Sequence, residues 1–411
     1  MRPSPHALSA LPFTLAVLLV TGGATPRAQQ PTNLGSDANG NPLRRAIKTG
    51  HVSNYDEAKV TPYKLPDPLL FADGTPVRTA REWTTKRRAE LIRIYETEIF
   101  GRIPAATPPV AWRVTEDHGP KKLVVGTIGS GDSAPRINLT LYLPPKARGP
   151  VPVILLLGFG GGGAPVQDPP VAADILARGW GYAKAGYNDI QPDRINTFDR
   201  GVIGLTSSAA RGPGDWGTVS AWAWGASRIV DYLQTDKSVD GTRIALFGHS
   251  RLGKTALWAS ALDPRIAAVF SSCPGEMGAA LSRRDWGETV DDMVQNFPYW
   301  FAPAFEKWAG RWNEMPVDAH MLIALSAPRP VFVTGGTADQ WADPVGEFLA
   351  QVAAGPVYRL LGKKDLGVTA LPPLDTPIVT GELGWHYHTG PHAATPADWQ
   401  AFLSFLDKYF T

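Results

Sequence analysis

The chain has 411 residues, of which 44% are hydrophobic and 19% are charged, a composition typical of globular proteins and unlike that of disordered or fibrous chains. Its 40 Lys and Arg residues nearly balance its 38 Asp and Glu residues, so we expect neither nucleic acid nor an anionic membrane as a main partner. The one cysteine, Cys273, excludes an internal disulfide and any cysteine-rich zinc site.

Residues 1–28 have the pattern of an export signal. Arg2 supplies a positive start, residues 11–20 form a short apolar run, and small residues precede Ala28. The run is too short for a membrane-spanning helix, and no cysteine lies nearby to carry a lipid anchor. We therefore expect an exported protein of the periplasm or the extracellular space without a membrane anchor. An ordinary apolar N-terminal helix is the alternative.

Residues 29–63 are polar and rich in Asn, Gly and Pro, which predicts a surface linker with little function. Apolar residues then recur at helical spacing within residues 79–100 and stop before Gly101 and Pro104, which predicts a packing helix. Because the sequence shows no internal repeat, we expect residues 64–411 to form one large domain.

Short apolar runs alternate with helical segments from Leu123 onward, which is typical of a sheet covered by helices on both faces. The first two runs predict an antiparallel pair, and the third leads into a glycine-rich candidate site loop. This order predicts an α/β-hydrolase fold, a three-layer α/β/α sandwich with a mostly parallel central sheet. The predicted strands are 123–128, 137–143, 151–157, 243–247, 266–270, 331–334 and 357–361, and the predicted helices are 217–233, 253–262 and 396–409.

The turn between the strand at 243–247 and the helix at 253–262 carries Ser250, in the run Gly-His-Ser-Arg-Leu-Gly-Lys. A turn of this kind between a strand and a helix exposes the serine hydroxyl above the sheet. The usual pattern is G-x-S-x-G, whereas here the second glycine comes one place late, at Gly253, and Leu252 stands at the expected position. A serine that merely caps the helix is the alternative.

A serine nucleophile needs a base and a carboxylate that orients the base, and in this fold their order along the chain is Ser, acid, His. Asp339 follows the predicted strand 331–334, so its carboxylate would emerge at the same sheet edge as Ser250. Asp343 is the rival, but it precedes Pro344 and is placed to cap the next helix. We favour Asp339, and an exposed turn aspartate is the alternative for either.

Residues 385–392 offer three histidines for the base. His392 is favoured because Gly390 and Pro391 form a turn that would project it inward. His386 and His388 alternate with aromatic residues, as in an extended strand. A three-histidine metal site is the alternative, but no Asp, Glu or Cys completes a known ligand spacing nearby, so we predict no metal and no cofactor.

With these residues in view, the chain resembles the glucuronoyl esterases, carbohydrate esterase family fifteen, especially their bacterial branch. The resemblance covers roughly residues 80–411 and implies hydrolysis of the ester between 4-O-methyl-glucuronoyl groups of glucuronoxylan and lignin alcohols. Beyond residues 248–254, it rests on Trp-Ala-Trp-Gly at 222–225, Ala-Leu-Ser-Arg-Arg at 280–284, Gly-Glu-Thr at 287–289, Trp-Ala-Asp-Pro at 341–344 and Gly-Pro-His at 390–392.

The resemblance also implies roles for individual residues. Ser250 would be the nucleophile, His392 the base and Asp339 the acid. Arg251 would stabilise the oxyanion, because a guanidinium there adds positive charge where negative charge develops. Lys254 would donate to uronate hydroxyls. The remaining implied substrate contacts are Glu288, Trp341 and Gln295.

Each role has a structural alternative: a surface ion pair for Arg251, a solvated helix face for Lys254, core burial for Trp341, and an ion pair of Glu288 with Arg283 or Arg284.

The sequence departs from the family pattern near Cys273, which occupies the place where some bacterial relatives hold a glutamate. We expect Cys273 to be a small buried residue. Glu276 lies three residues further on and could serve as the acid, but a glutamate in this glycine-rich loop is expected to be exposed. Gly-Pro-His at 390–392 also replaces the expected Gly-Gly-His.

These observations together predict a monomeric two-step serine esterase. An acetyl or feruloyl xylan esterase with the same three catalytic residues is the alternative within the enzyme class. An exported, non-catalytic carbohydrate-binding scaffold is the alternative outside it, although such a protein has no use for a complete set of Ser250, Asp339 and His392. The conformation of residues 197–214, a candidate rim of the cleft, is not readable from the sequence.

Overall fold

The computed structural model describes residues 32–207 and 210–410, so the predicted export signal at 1–28 lies outside the described residues. Eleven strands occur in this part of the chain. In chain order they are β1 (Thr32–Ser36), β2 (Pro42–Arg45), β3 (Val110–Asp117), β4 (Lys121–Ile128), β5 (Arg136–Tyr142), β6 (Val151–Gly158), β7 (Gly181–Gly186), β8 (Val239–His249), β9 (Ile266–Ser272), β10 (Val331–Gly336) and β11 (Leu383–His388).

The helices lie between these strands and after the last of them. A π-helical turn at Trp83–Arg87 joins the helices Ala80–Glu82 and Arg88–Glu98 into one continuous helix, in agreement with the packing helix predicted within residues 79–100. The α-helices are α1 (Ala80–Glu82), α2 (Arg88–Glu98), α3 (Ala172–Ala177), α4 (Gly201–Thr206), α5 (Thr218–Thr235), α6 (Arg251–Leu262), α7 (Val290–Asn296), α8 (Ala319–Ala324), α9 (Pro344–Leu360) and α10 (Pro396–Phe410).

Nine strands form one sheet in the order β11-β10-β9-β8-β6-β7-β5-β4-β3. The six strands from β11 to β7 are parallel, whereas β5, β4 and β3 are added as an antiparallel edge. The antiparallel pairing of β4 with β5 confirms the prediction for the first two apolar runs. The mostly parallel order confirms the predicted α/β-hydrolase fold.

Alternate residues of the parallel strands feed two separate hydrophobic cores. On β6, Leu155 and Leu157 pack with α5, α6 and α9 on one face of the sheet. Ile154 and Leu156 pack on the other face with α3 and α10. Burial on both faces explains why β6 reads as a continuous apolar run, and it produces the predicted three-layer sandwich.

The prediction of a strand at residues 357–361 was wrong. These residues belong to α9 and its C-cap, and the helix continues through Pro356. The last strand is instead β11, which carries His386 and His388 and was predicted only as an extended run. Strands β1, β2, β3 and β7 were not predicted.

The polar stretch at 29–63 has a fixed path in its described part. The hairpin of β1 and β2 begins this stretch, and further along it the carbonyl oxygen of Asn54 accepts a hydrogen bond from the N–H of Gly287 at 2.9 Å.

Within residues 32–207 and 210–410, every helix is too short or too polar to span a membrane.

Candidate active site

Ser250 sits in a strained turn at the carboxyl end of β8. Its backbone has φ 58° and ψ −126°, a conformation that non-glycine residues avoid and that is typical of an exposed nucleophile. The N–H of Ser250 donates to the carbonyl oxygen of Ser272 at 2.8 Å, which ties the turn to the end of β9. Gly248 permits the turn, because a Cβ at this position would overlap the carbonyl oxygen of Leu252.

The displaced second glycine has a packing reason. α6 begins at Arg251, and the side chain of Leu252 is fully buried in the core. Gly253 is the residue that faces β9, since a Cβ there would lie 3.0 Å from Oγ of Ser271 and 3.2 Å from Cβ of Pro274. The position that needs a glycine is therefore 253, and position 252 needs an apolar side chain.

His392 and Asp339 form a hydrogen-bonded pair at the carboxyl ends of β11 and β10. Nδ1 of His392 donates to Oδ2 of Asp339, and because a carboxylate only accepts, this bond leaves Nε2 as the free basic nitrogen. The His392 ring lies 4.6 Å from the ring of His249, the residue just before Ser250. The His392 side chain is 40% exposed and Asp339 only 7%, which suits a base that meets substrate and an acid that orients it.

The rival candidates have different partners. Asp343 caps α9 by accepting the N–H of Gly346 at 2.9 Å, and Arg284 donates to it at 3.1 Å. Burial raises the pKa of Asp343 to about 6, although the nearby Arg284 opposes the rise. His386 and His388 both bond to Asp398 of α10 rather than to Asp339.

The described residues contain one group of side chains whose possible metal-ligating atoms converge. It consists of Cys273, Asp339 and His392, with ligand atoms within 4.8 Å of one another. Two of its members are the acid–base pair itself. His386 and His388 are not part of this group, so a three-histidine metal site has no support in the geometry.

Arg251 is held by Asp193, a residue that the sequence analysis missed. Nη1 of Arg251 donates to Oδ2 of Asp193, and the guanidinium carbon lies 4.8 Å from the ring centre of Trp300. Asp193 also accepts from Tyr187 at 2.9 Å, Tyr299 at 3.1 Å and Trp300 at 2.8 Å. Four donors thus fix one carboxylate, and that carboxylate fixes the arginine beside Ser250. No sequence pattern marks Asp193, because most of its partners, Arg251, Tyr299 and Trp300, come from distant parts of the chain.

Lys254, Glu288 and Trp341 come together near Asp339. The N–H of Glu288 donates to the carbonyl oxygen of Trp341 at 2.8 Å, and the Trp341 side chain bonds to the Glu288 carboxyl group. Burial raises the pKa of Glu288 to about 7, with Lys254 partly opposing the rise. Burial lowers the pKa of Lys254, while three nearby carboxyl groups favour its charged form. The alternative of a solvated lysine does not hold, because Lys254 is 3% exposed and donates to the carbonyl oxygen of Pro274.

Arg283 and Arg284 are bonded to carboxylates away from Glu288. Arg283 pairs with Asp318, and Arg284 pairs with Glu57 and Asp343. Neither arginine therefore forms the ion pair with Glu288 that the sequence left open.

The comparisons with known proteins agree with one another. A family model described as fungal glucuronyl esterase matches residues 127–362, more than half of the chain. The chain belongs to the glucuronoyl esterase family. A glucuronoyl esterase structure from Solibacter usitatus is 41% identical, with a TM-score of 0.80, and the match covers 85% of this chain and 99% of that one.

Two curated relatives, one prokaryotic and one fungal, are also similar to this chain. Carbohydrate esterase MZ0003, from an unknown prokaryotic organism, is 37% identical over 87% of this chain and 92% of its own. The 4-O-methyl-glucuronoyl methylesterase of Phanerochaete carnosa is 31% identical over 74% of this chain and 73% of its own. Membership makes the chain a carboxylic ester hydrolase of carbohydrate esterase family fifteen.

Two residues where the sequence departs from the family pattern, Cys273 and Glu276, are buried. Cys273 is 1% exposed, as expected, and burial raises the pKa of its thiol well above the ordinary value. Glu276 is 2% exposed, so the prediction of an exposed loop glutamate was wrong. Its carboxyl group accepts from the hydroxyl of Ser282, and burial raises its pKa. The ring nitrogen of His392 faces Asp339 rather than this residue.

Gln295, on α7, is bonded to the N-terminal segment. Its carboxamide oxygen accepts the N–H of Ile47 at 2.8 Å. The same segment, which lies outside the residues matched by the glucuronoyl esterase family model, places the guanidinium of Arg44 4.5 Å from the ring centre of Trp341. Residues 29–63, predicted to carry little function, therefore reach a predicted substrate contact. Sugar binding by Gln295 stays a prediction.

Proposed function

We propose that this glucuronoyl esterase cleaves the ester between 4-O-methyl-glucuronoyl groups of glucuronoxylan and lignin alcohols through an acyl-enzyme. The observation that carries the proposal is the His392–Asp339 pair beside the strained turn of Ser250. Membership of the family supports the ester class, and similarity to the 4-O-methyl-glucuronoyl methylesterase of Phanerochaete carnosa supports the acyl group.

In the proposed first step, Nε2 of His392 takes the proton of Ser250 Oγ as the oxygen attacks the uronate carbonyl carbon. The carbonyl oxygen becomes an oxyanion, which the guanidinium of Arg251 and the backbone N–H of the same residue stabilise. That N–H belongs to the first turn of α6 and has no partner within the helix, so it is free to donate. His392 then gives its proton to the departing alcohol, and water hydrolyses the acyl-enzyme by the same steps.

We propose that Lys254, Glu288 and Trp341 hold the sugar ring. Lys254 supplies N–H donors, Glu288 supplies acceptors, and the indole of Trp341 supplies a flat apolar face with a polar edge. The proximity of a buried cation to a carboxyl group with a pKa of about 7 supports this role, because hydroxyl groups can then find both donors and acceptors in one pocket.

The test is hydrolysis of benzyl glucuronate beside a matched acetylated glucoside, without added metal. The enzyme should turn over the uronate ester, and Ser250→Ala should lower kcat by roughly six orders of magnitude if the three residues act as a unit. Ser260→Ala is the matched control, because Ser260 is a buried serine on α6, the helix that begins directly after Ser250, and its loss should leave kcat unchanged. Preference for acetate would overturn the substrate, and turnover by Ser250→Ala would overturn the nucleophile.

We also propose that the protein is exported after removal of residues 1–28 and acts as a monomer. The basic start and short apolar run support export. Mass spectrometry of the N-terminus after expression in a bacterial host tests the cleavage, which should remove residues 1–28. Size-exclusion chromatography with light scattering measures the molar mass, which should be that of one chain.

A further inference from the structure

Two buried histidines on β11 share one carboxylate. Nδ1 of His386 lies 2.7 Å from Oδ1 of Asp398, and Nδ1 of His388 lies 3.1 Å from the same oxygen. The other oxygen of Asp398 accepts from the N–H and the hydroxyl of Thr395, each at 2.7 Å, in the cap of α10. Four donors therefore surround an ionised carboxylate. All three ionisable side chains are at most 2% exposed.

His388 differs from His386 in its second ring nitrogen. Nε2 of His388 lies 3.0 Å from the carbonyl oxygen of Pro391. A carbonyl oxygen and a carboxylate both accept and never donate, so each nitrogen of His388 must carry a proton for both contacts to be hydrogen bonds. The geometry is satisfied only by the imidazolium form.

The contact with Pro391 bears directly on the catalytic base. The carbonyl of Pro391 belongs to the peptide bond that ends at the nitrogen of His392, so a bond to it fixes the plane of that peptide. Further bonds attach the same loop to the Asp339 loop, including Ala338 N–H to the carbonyl oxygen of Gly390 at 2.8 Å. Gly336 leaves the space this requires, because a Cβ there would lie 2.5 Å from the oxygen of Pro391 and 2.7 Å from Nε2 of His388.

We propose that His388 is a positioning residue for the base: as an imidazolium that bridges Asp398 and the carbonyl of Pro391, it holds His392 against Asp339, and loss of its second proton releases this hold. The inference rests on the proposed role of His392. It gives the enzyme an activity loss at alkaline pH that does not come from titration of the base itself.

The surroundings of His388 favour the charged form. Burial alone lowers its pKa, but the bond to Asp398 and the charge of that carboxylate raise the pKa overall, and Asp375, bonded to Thr389, acts in the same direction. The other titratable groups near the site are His386, 6.3 Å away between ring centres, and His249. Because the pKa of His388 is raised in the folded state, His388 stays protonated at pH values below the ordinary histidine pKa. It loses its second proton as the pH rises through the folded pKa. The hold is thus present below the ordinary histidine pKa and is lost as the pH rises through the higher folded value.

Three variants separate positioning from stability. Asparagine can imitate Nδ1 of a histidine but does not reach the Nε2 position, so His388→Asn keeps the Asp398 contact and loses the Pro391 contact. His388→Gln reaches Pro391 but does not titrate. His386→Asn is the matched control, because His386 is equally buried on the same strand and bonds to the same carboxylate.

The measurement is kcat and KM for benzyl glucuronate from pH 5 to pH 10, with melting curves for each variant. We expect His388→Asn to lower kcat roughly 10- to 100-fold with little change in KM, because small displacements of a reacting group cost this much. His386→Asn should lose similar thermal stability with kcat within about threefold of wild type. His388→Gln should lack the alkaline loss of kcat that wild type shows. Equal kcat for the two asparagine variants, or the same alkaline loss in His388→Gln, overturns the proposal.

A second measurement does not depend on ester turnover. Imidazole nitrogen NMR of the histidine-labelled protein, assigned with the His388→Gln spectrum, should find both nitrogens of His388 protonated at pH 7. A neutral His388 overturns the inference even in an active enzyme. Failure of wild type to hydrolyse the uronate ester would instead remove the proposed function and leave this result standing.

Discussion

The replacement Asp193→Asn tests whether catalysis requires Asp193 to position Arg251, the arginine beside the nucleophile. The change keeps the shape of the side chain but replaces one carboxylate oxygen with an N–H₂ group. Oδ2 of Asp193 accepts from both Arg251 and Tyr187. A tyrosine hydroxyl can turn round and accept instead, whereas a guanidinium only donates. Arg251 therefore loses its acceptor when the N–H₂ group takes the Oδ2 position. When that group takes the Oδ1 position, the indole N–H of Trp300 loses its acceptor, and Arg251 keeps a neutral amide oxygen in place of a charged carboxylate oxygen.

The structure sets the expected size of the effect. Removal of one charge from a buried pair costs about 3–5 kcal/mol of unfolding free energy. The Asp193 side chain is 5% exposed but that of Arg251 is 28% exposed, so water recovers part of the loss, and we expect about 2–3 kcal/mol. Removal of an oxyanion donor lowers kcat by roughly 10²–10³. Because Arg251 is still present in the variant, we expect a decrease near roughly 10².

The assay is kcat on benzyl glucuronate together with thermal unfolding. Asp236→Asn is the matched control, since Asp236 is also 5% exposed and pairs with Lys122 at 2.8 Å, yet lies outside the site. It should lose comparable stability and keep its kcat. In a double-mutant cycle, Asp193→Asn should add little to the defect of Arg251→Met. If Asp193→Asn loses stability but keeps kcat within about threefold of wild type, the idea that Asp193 positions Arg251 is refuted.

Three further predictions follow from the site. Restoring the usual glycine spacing with Leu252→Gly should lower the unfolding free energy by about 3–5 kcal/mol, because it empties a core position, and a melting temperature equal to wild type would contradict this. Burial raises the pKa of Glu288 from 4.5 to about 7, so wild type should lose stability as the pH rises through that interval. The melting temperature of Glu288→Gln should therefore exceed that of wild type by a few °C at pH 8 and equal it at pH 4.5. The same difference in melting temperature at both pH values would contradict the raised pKa. Removing the guanidinium that stacks on Trp341, with Arg44→Ala, should raise KM severalfold with kcat nearly unchanged. Lys48→Ala, the control on the same segment, should leave both KM and kcat unchanged.

The sequence predicts best what local patterns determine. The buried strands β6, β8, β9 and β10 were predicted because each is a short apolar run between turn residues, and the serine turn because its context is contained in seven residues. The strand predicted at 357–361 failed because a run with Val357, Tyr358 and Leu360 directly after Pro356 resembles the start of a strand. In the structure, Val357 and Tyr358 are fully buried, and their packing keeps α9 helical past the proline.

Residues that act through distant partners could not be predicted. Asp193 gathers donors from segments up to 107 residues away, and nothing in its own neighbourhood reveals this. Arg44 could not be predicted for the same reason. It lies in a segment without a recurring apolar pattern, and its partner Trp341 is almost 300 residues further along the chain. Glu276 was misjudged because flanking glycines indicate an exposed loop, whereas the loop turns inward and the glutamate bonds to Ser282.

The order of strands in the sheet has a consequence for how activity returns after denaturation. Ser250, Asp339 and His392 follow three different parallel strands, and β10 and β11 join the sheet outside β9. Pairings between strands that are far apart in the chain form slowly, because long loops must close first. Hydrolysis should therefore recover later than secondary structure during refolding, and the lag between circular dichroism and ester turnover would time the docking of the β10–β11 edge.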